Sequence, residues 1–395
     1  MTYLSVSTVS SGRQMSGAIG SMAMCVAMLI SAEFMPVSLL TPIANDLHAT
    51  QGMAGQAISI SGLFAVLASV FIAPVAGRFD RRYVLMSMTV LMLLSLVLIA
   101  TAPSFTLLMA ARALLGLAIG GFWSLATATV IQLVPADRVA KSLGTIYMGN
   151  ALATAFAAPV GAYLGGHFGW RLVFAGLIPL VLASLWWQFK SLPSMPPQAA
   201  IPVTRLFGLL KRKNVAFGML GVGLSFAGAF AAFTYLRPFL EDETGVSSDG
   251  LSFLLLCLGL AGFAGTHLVS SMLQRNLLYR LLLWLPIALA VMTLGLVGFG
   301  HVFWGVACML VGWGALNAAL PVCWSTWLAK EISDEPESGG GLMVASIQLA
   351  IMLGGSFGGH LLDSINVAAP LIGGAALLVL CALVIGNGNR LKHVA

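Results

Sequence analysis

The sequence predicts an all-α membrane protein: twelve transmembrane helices in two six-helix pseudo-repeats. Three observations carry this. Of 395 residues, 59% are hydrophobic and only 8% charged, where a soluble domain carries about 25% charge. The apolar residues gather in runs of roughly the 20 needed to cross a bilayer. The second half of the chain repeats the first at a shift of 197 residues, carrying Arg78 onto Arg275, Asp46 onto Glu243, and 159–164 onto 356–361.

The spans follow in order. The first, 18–42, comes after Arg13 and holds Glu33. Its apolar run continues to Leu40 without a convincing cleavage site, so it reads as a span and not a signal peptide. The second, 52–76, ends at the basic loop Gly77–Arg82. The third is 83–101, and the fourth, 104–133, holds Arg112 among glycines. The fifth, 142–165, contains Pro159, and the sixth is 170–189. The stretch 190–215 is the one long linker, with Pro193, Pro196, Pro197 and Pro202 before Lys211, Arg212 and Lys213. It divides an N-terminal bundle, 1–189, from a C-terminal bundle, 216–395. The second six spans are 216–239, 250–273, 279–299, 302–328, 341–362 and 369–386.

Composition excludes much. With 19 Lys+Arg and 13 Asp+Glu, the chain cannot coat a large water-facing surface, so a soluble enzyme, a nucleic-acid binder and a disordered tail are set aside. A transmembrane barrel requires alternating polar and apolar residues, and 84–100 does not alternate. The 44 glycines suit helices packing closely in lipid. Cys25, Cys257, Cys308, Cys323 and Cys381 lie in apolar runs without zinc spacing, and read as small hydrophobes. No metal or cofactor is expected, and no GxxxxGK[ST] phosphate loop appears.

The net charge of +6 is a matter of topology. With both termini cytoplasmic, 16 of the 19 basic residues fall on the cytoplasmic side, as the positive-inside rule requires. Arg171 and Arg237 fall outside and Arg112 within the membrane. Parallel six-span repeats are a transporter architecture, with the site near the midplane between the halves.

Several motifs resemble the major facilitator superfamily. Gly77-Arg-Phe-Asp80-Arg81-Arg82 is similar to its Gly/Asp/Arg loop, though shorter and without the second glycine. Arg112 with Gly116, Gly120 and Gly121 resembles its membrane arginine and glycines. Ala158-Pro159-Val-Gly161 with Gly165 and Gly166 resembles its antiporter motif, with Ala158 in place of Gly. Gly169-Trp170-Arg171 opens the sixth span as in the family. Glu33-Phe-Met-Pro36, Gly121-Phe-Trp123, Tyr235-Leu-Arg237-Pro238 and Pro321-Val-Cys-Trp324 are most similar to the drug/proton antiporter branch, among its nucleoside exporters. The resemblance implies proton-driven export of purine ribonucleosides across a bacterial inner membrane by a monomer. Sugar or drug efflux is the alternative within the class. An intramembrane enzyme is the alternative outside it, and it lacks clustered catalytic groups.

Of 13 acids, 12 fall in loops or span ends, and Glu33 alone lies within a span. An acid there costs several kcal/mol unless paired, protonated or beside water. Glu33 and Arg112 lie at matching depth, roughly 12–14 Å from the outer surface. Two readings fit them: a carboxyl that takes and releases the coupling proton beside its guanidinium, or a permanent structural ion pair. Asp46 or His267 as a second titrating group stays open. For a nucleoside substrate, candidate ligands are Trp123, Asn150, Phe230, Asn317, Trp324 and Gln348. Trp123 shares a helical stripe with Arg112, Asn150 and Gln348 are near-equivalent in the repeat, and Phe230 is the repeat partner of Glu33. Helix packing is the competing role for each aromatic, and interhelical hydrogen bonding for each amide.

Overall fold

In lipid, a backbone that spans must satisfy its own hydrogen bonds, which leaves helices as the solution for a chain of long apolar runs. The computed structural model describes residues 12–196 and 207–392. Arg205, Pro197 and Pro202 of the linker lie outside the described residues, as do the side chains of Arg13 and Glu337. The first half holds α1 (Gly12–Asp46), α2 (Gln51–Ala76), α3 (Arg81–Ala100), α4 (Phe105–Leu133), α5 (Ala136–Phe168) and α6 (Trp170–Ser191). The second holds α7 (Lys213–Thr234), α8 (Ser248–Leu273), α9 (Leu278–Gly298), α10 (Phe303–Glu331), α11 (Pro336–Ser364) and α12 (Ala369–Ile385). Ten of these spans are long and apolar enough to cross a membrane, and α5 and the 17-residue α12 complete the twelve. Large apolar side chains face outward along the helices, among them Phe71, Trp284 and Leu383, each more than 60% exposed. That pattern belongs to an integral membrane protein.

The seventh span departs from the expected continuous helix. It breaks at Tyr235 and resumes as a seven-residue extension, Leu236–Asp242. Pro238 has no N–H to offer the Thr234 carbonyl, which weakens the helix at this point.

The repeat is visible in packing. In the first half α1 packs on α5 and α6, α2 on α4, and α3 on α4 and α6. In the second, α7 packs on α11 and α12, α8 on α10, and α9 on α10 and α12. Ser38 on α1 meets Gly161 on α5, and 197 residues later Tyr235 meets Gly358.

Two seams join the halves: α2 against α11, and α5 against α8. Successive helices run in opposite directions, so both termini and the linker lie at one end of the bundle; the other is the distal end. Contacts along α2–α11 run from Gly52 beside Asp363 at the distal end to Gly62 beside the Gln348 carbonyl. Those along α5–α8 run from Gly166 beside Ser248 to Ala155 beside Gly259. Both seams therefore occupy the distal half of the bundle. At Gly259 the approach needs glycine, because a Cβ there would overlap the Ala155 backbone. Pro159 is the reason that carbonyl is available, since it lacks the N–H that would occupy Ala155.

At the terminal end, Asp80 caps α3 by accepting from the Arg82 N–H at 2.9 Å. It also accepts from the Ser194 hydroxyl at 2.5 Å and the Met195 N–H at 2.9 Å. Burial pushes this carboxyl up, but the three hydrogen bonds and the Arg82 charge outweigh that and hold it below the ordinary carboxylate value. The shortened loop thus fastens the start of the linker to its own half.

Candidate functional site

The site grows out of two prolines in α1. Pro36 removes the N–H that would occupy the Ala32 carbonyl, and Pro42 removes the one for Ser38. A carbonyl left open inside a bilayer must find another donor. Arg112 of α4 supplies the first: its Nη1 donates to the Ala32 carbonyl at 2.7 Å. Its Nη2 donates to the Glu33 carbonyl at 3.2 Å and its Nε to Ala57 on α2 at 2.8 Å. Ser61 donates back to the Arg112 carbonyl at 2.9 Å. Arg112 is fully buried, and it ties α1, α2 and α4 together.

This corrects the expected side-chain pair. Glu33 and Arg112 are neighbours, as their matching depth predicts, and their charges interact. Among the described residues, however, no ion-pair contact within 4.0 Å joins the carboxylate to the guanidinium. Pro36 diverts the guanidinium to the backbone. The Glu33 carboxylate, 3% exposed, instead neighbours the Gln348 side chain on α11, in the other half. Gln348 sits at the mid-depth end of the glycine contacts along α2–α11.

An aromatic group built from both halves adjoins this pair. Phe34 lies 5.7 Å from Phe230 and 6.2 Å from Phe233, centroid to centroid. Phe233 stacks on Trp313 at 5.8 Å. Val37, Ile58 and Ile351 close the cluster. The structure thus brings Glu33, Arg112, Phe230 and Gln348 together. Trp123 is half-buried and stacks on Tyr147 of α5 at 5.6 Å. It lies about 16 Å along α4 from Arg112, toward the terminal end. Asn150 and Asn317 are half-buried, and no described side-chain hydrogen bond ties them to the Glu33 group. Trp324 does not line the site. Its ring is buried against Gly221 and Trp327, and its Nε1 donates to Ser225 at 3.1 Å. Packing inside the second half consumes it. His267 on α8 is exposed, and Asp46 pairs with Arg171 at 2.5 Å.

The second open carbonyl, Ser38, is met by Arg237 from the α7 extension, in the other half. Its Nη1 donates to Ser38 and its Nε to Glu241 at 2.7 Å. Thr41 of α1 donates to the other Glu241 oxygen at 2.5 Å. The sequence reading puts Arg237 outside; it is at the distal end of its span but only 4% exposed, held between the halves. Nearby, Tyr235 donates to the Gly355 carbonyl at 2.7 Å, Ser356 to Gln56 at 3.0 Å, and Thr50 to Asp363 at 2.6 Å. Phe34, Phe233, Trp313 and the Arg237–Glu241–Thr41 set were missed as site residues. The i+4 spacing from Pro36 and Pro42 back to Ala32 and Ser38 is the signal that points to two of these groups.

Two internally repeated helix bundles with a polar site at mid-depth between them define a secondary transporter. The chain belongs to the Major Facilitator Superfamily, whose family model matches residues 19–340. It is an integral membrane transporter of a small molecule and not an enzyme. It is 40% identical to the purine ribonucleoside efflux pump NepI of Salmonella typhimurium, over 96% of this chain and 95% of that one. It is 44% identical to a Pseudomonas aeruginosa protein named transcription regulatory protein OpdE, over 97% and 96% of the two chains. Among solved structures, a D-xylose–proton symporter matches with a TM-score of 0.73 at 17% identity, covering 93% of this chain and 96% of that one. A bacterial homolog of the human lysosomal transporter Spinster, inward-facing and occupied, matches at 0.71 and 14%, covering 95% of each. These two likenesses concern the fold.

Proposed function

We propose that the protein exports purine ribonucleosides from a bacterial cell in exchange for protons, by alternating access, from the inner membrane with both termini cytoplasmic. The observation that carries this is Glu33: the one acid deep within a span, buried where the halves meet and beside Gln348 of the other half. The likeness to NepI supports the nucleoside, and the basic residues gathered at the terminal end support the orientation. In that orientation the distal end faces outward, and the seams close it. The halves 1–189 and 216–395 rock as units joined by the 190–215 linker.

Glu33 takes the proton, and Arg112 sets the field around it from a fixed position. A proton arriving at the carboxylate removes the charge that the Gln348 amide holds, which couples protonation to the boundary between halves. Phe34, Phe230 and Phe233 offer apolar surface for a base, while Gln348, Asn150 and Asn317 offer hydrogen bonds for its edge or the ribose. Trp123 serves nearer the terminal mouth. Energetically one proton suffices: about 2.3 kcal/mol from 100 mV and about 1.4 kcal/mol per pH unit sustain roughly a 500-fold gradient of a neutral solute.

The test is proton release from purified protein on adding inosine, guanosine, arabinose or chloramphenicol. Release with nucleosides alone is expected, and it disappears in Glu33→Gln. Release with arabinose or chloramphenicol instead transfers the proposal to sugar or drug efflux. Transport unaffected by a proton gradient removes coupling altogether.

A further inference from the structure

The chain does not trail off after α12. Trp327 of α10 donates its Nε1 to the Leu391 carbonyl at 3.0 Å, and Leu391 is fully buried. Gly388, in the left-handed region at φ +78°, lets the turn press on Tyr279, where a Cβ would come within 2.8 Å of the ring side chain. This anchor folds Asn389–Leu391 back against α7 and α12, with Gly388 touching Tyr279 at the start of α9. It places Lys392 beside Tyr279, with its Nζ 5.1 Å from the ring centroid. The Nζ of Lys330, at the end of α10, lies 5.1 Å from the same centroid. Arg280 follows Tyr279 and Arg390 covers Phe217 at 5.4 Å; all four cations are exposed.

Counter-charge is scarce among the groups facing them. Glu331 is buried and takes the Tyr279 hydroxyl, while Asp334 and Glu335 pair with Arg212 at 2.7 and 3.1 Å. The exposed cations outnumber the one carboxylate at the Tyr279 ring, and a net positive cluster favours an anion. Its place in the fold says which kind. α9 packs on α12, and their outward faces carry Trp284 and Leu383, the former one helical turn beyond Arg280. The cations therefore cap an apolar surface that faces the bilayer.

We propose that Lys330, Lys392 and Arg280 around Tyr279 form a site for an anionic phospholipid, its headgroup phosphate between the cations and its acyl chains along α9 and α12. The phosphate receives charge-assisted hydrogen bonds from the two ammonium groups, and a basic cluster at a membrane surface gains about 1 kcal/mol per residue toward anionic lipid. The site docks the C-terminal turn and the end of α10 to the bilayer and is independent of what the transporter carries.

The experiment compares lipid binding by the full chain in neutral detergent, by native mass spectrometry and thermal shift, using short-chain phosphatidylglycerol, phosphatidylcholine and sodium phosphate. Phosphatidylglycerol is expected to be retained and to raise the melting midpoint, and the other two are not. Lys330→Gln/Lys392→Gln should weaken phosphatidylglycerol about 10-fold or more, and Arg280→Gln about 5-fold, while Lys141→Gln in the other half changes nothing. The single Arg280 variant keeps the comparison available if the double variant unfolds. Equal binding of phosphatidylcholine, equal binding of free phosphate, or undiminished phosphatidylglycerol binding by both variants overturns the proposal.

Discussion

Two arginines in this protein do the same chemistry for different purposes. Arg112 and Arg237 each donate to a carbonyl of α1 that a proline four residues later has left open. Arg112 reaches Ala32 from within its own half and adds bonds to Glu33 and Ala57. Arg237 reaches Ser38 from the other half, and its remaining bond is to Glu241, which Thr41 also engages. The first joint survives any motion that keeps the N-terminal bundle rigid. The second lies across the boundary and must open whenever the distal ends separate. A helix defect is thus used once as a weld and once as a clasp.

The largest effect should come from breaking the weld. Arg112→Ala leaves an open carbonyl and a buried acid; its melting midpoint should fall by several degrees and its transport vanish, and Arg112→Lys, with fewer and differently placed donors, should rescue little. Gly259→Leu comes next, since the side chain overlaps the Ala155 backbone and forces the α5–α8 seam apart. Spin labels at His48 and Asp249, both exposed near the distal end, should then move apart in pulsed dipolar measurements, and transport should fall at least 10-fold. Arg237→Ala should lengthen the same spin-label distance while costing about 1–2 kcal/mol of stability, the scale of a few hydrogen bonds in membrane proteins. If Arg237→Ala unfolds the protein as Arg112→Ala does, the distinction between weld and clasp fails. Asp80→Asn should act least, because it touches neither joint. The Asp80 carboxyl titrates lower folded than unfolded, so its contribution is present at neutral pH and is lost as the pH falls through the ordinary carboxylate range and then through its lowered value. Denaturation of the two proteins should differ more at pH 7 than at pH 3, and modestly, since the group is largely solvated.

The twelve spans were legible because apolar runs and charge breaks report directly on bilayer crossing. Glu33 and Arg112 were legible because they are the charges that topology leaves over. Their actual contact was not, because depth says how far along a helix a residue lies and nothing about which partner wins it. The deciding residue was Pro36, whose effect is felt at Ala32. Trp324 looked like a ligand by position, yet side-chain direction around α10 turned it toward Ser225. Arg237 read as a loop charge because the break at Pro238 and its closure against α1 are tertiary events.

The glycine contacts of both seams lie between the distal end and mid-depth, and Gln348 stands at the mid-depth end of those on α2–α11. For a lever, the fulcrum is the place that travels least. A rigid rotation of about 15° swings a helix end about 20 Å away through roughly 5 Å, close to one helical pitch, while atoms beside the fulcrum shift by a fraction of an ångström. In the proposed exchange cycle, Glu33 and Gln348 therefore stay within reach of each other through a stroke that separates Arg237 from Ser38. On that proposal, protonation at the still point biases large displacements at the rim, where small forces act through long arms.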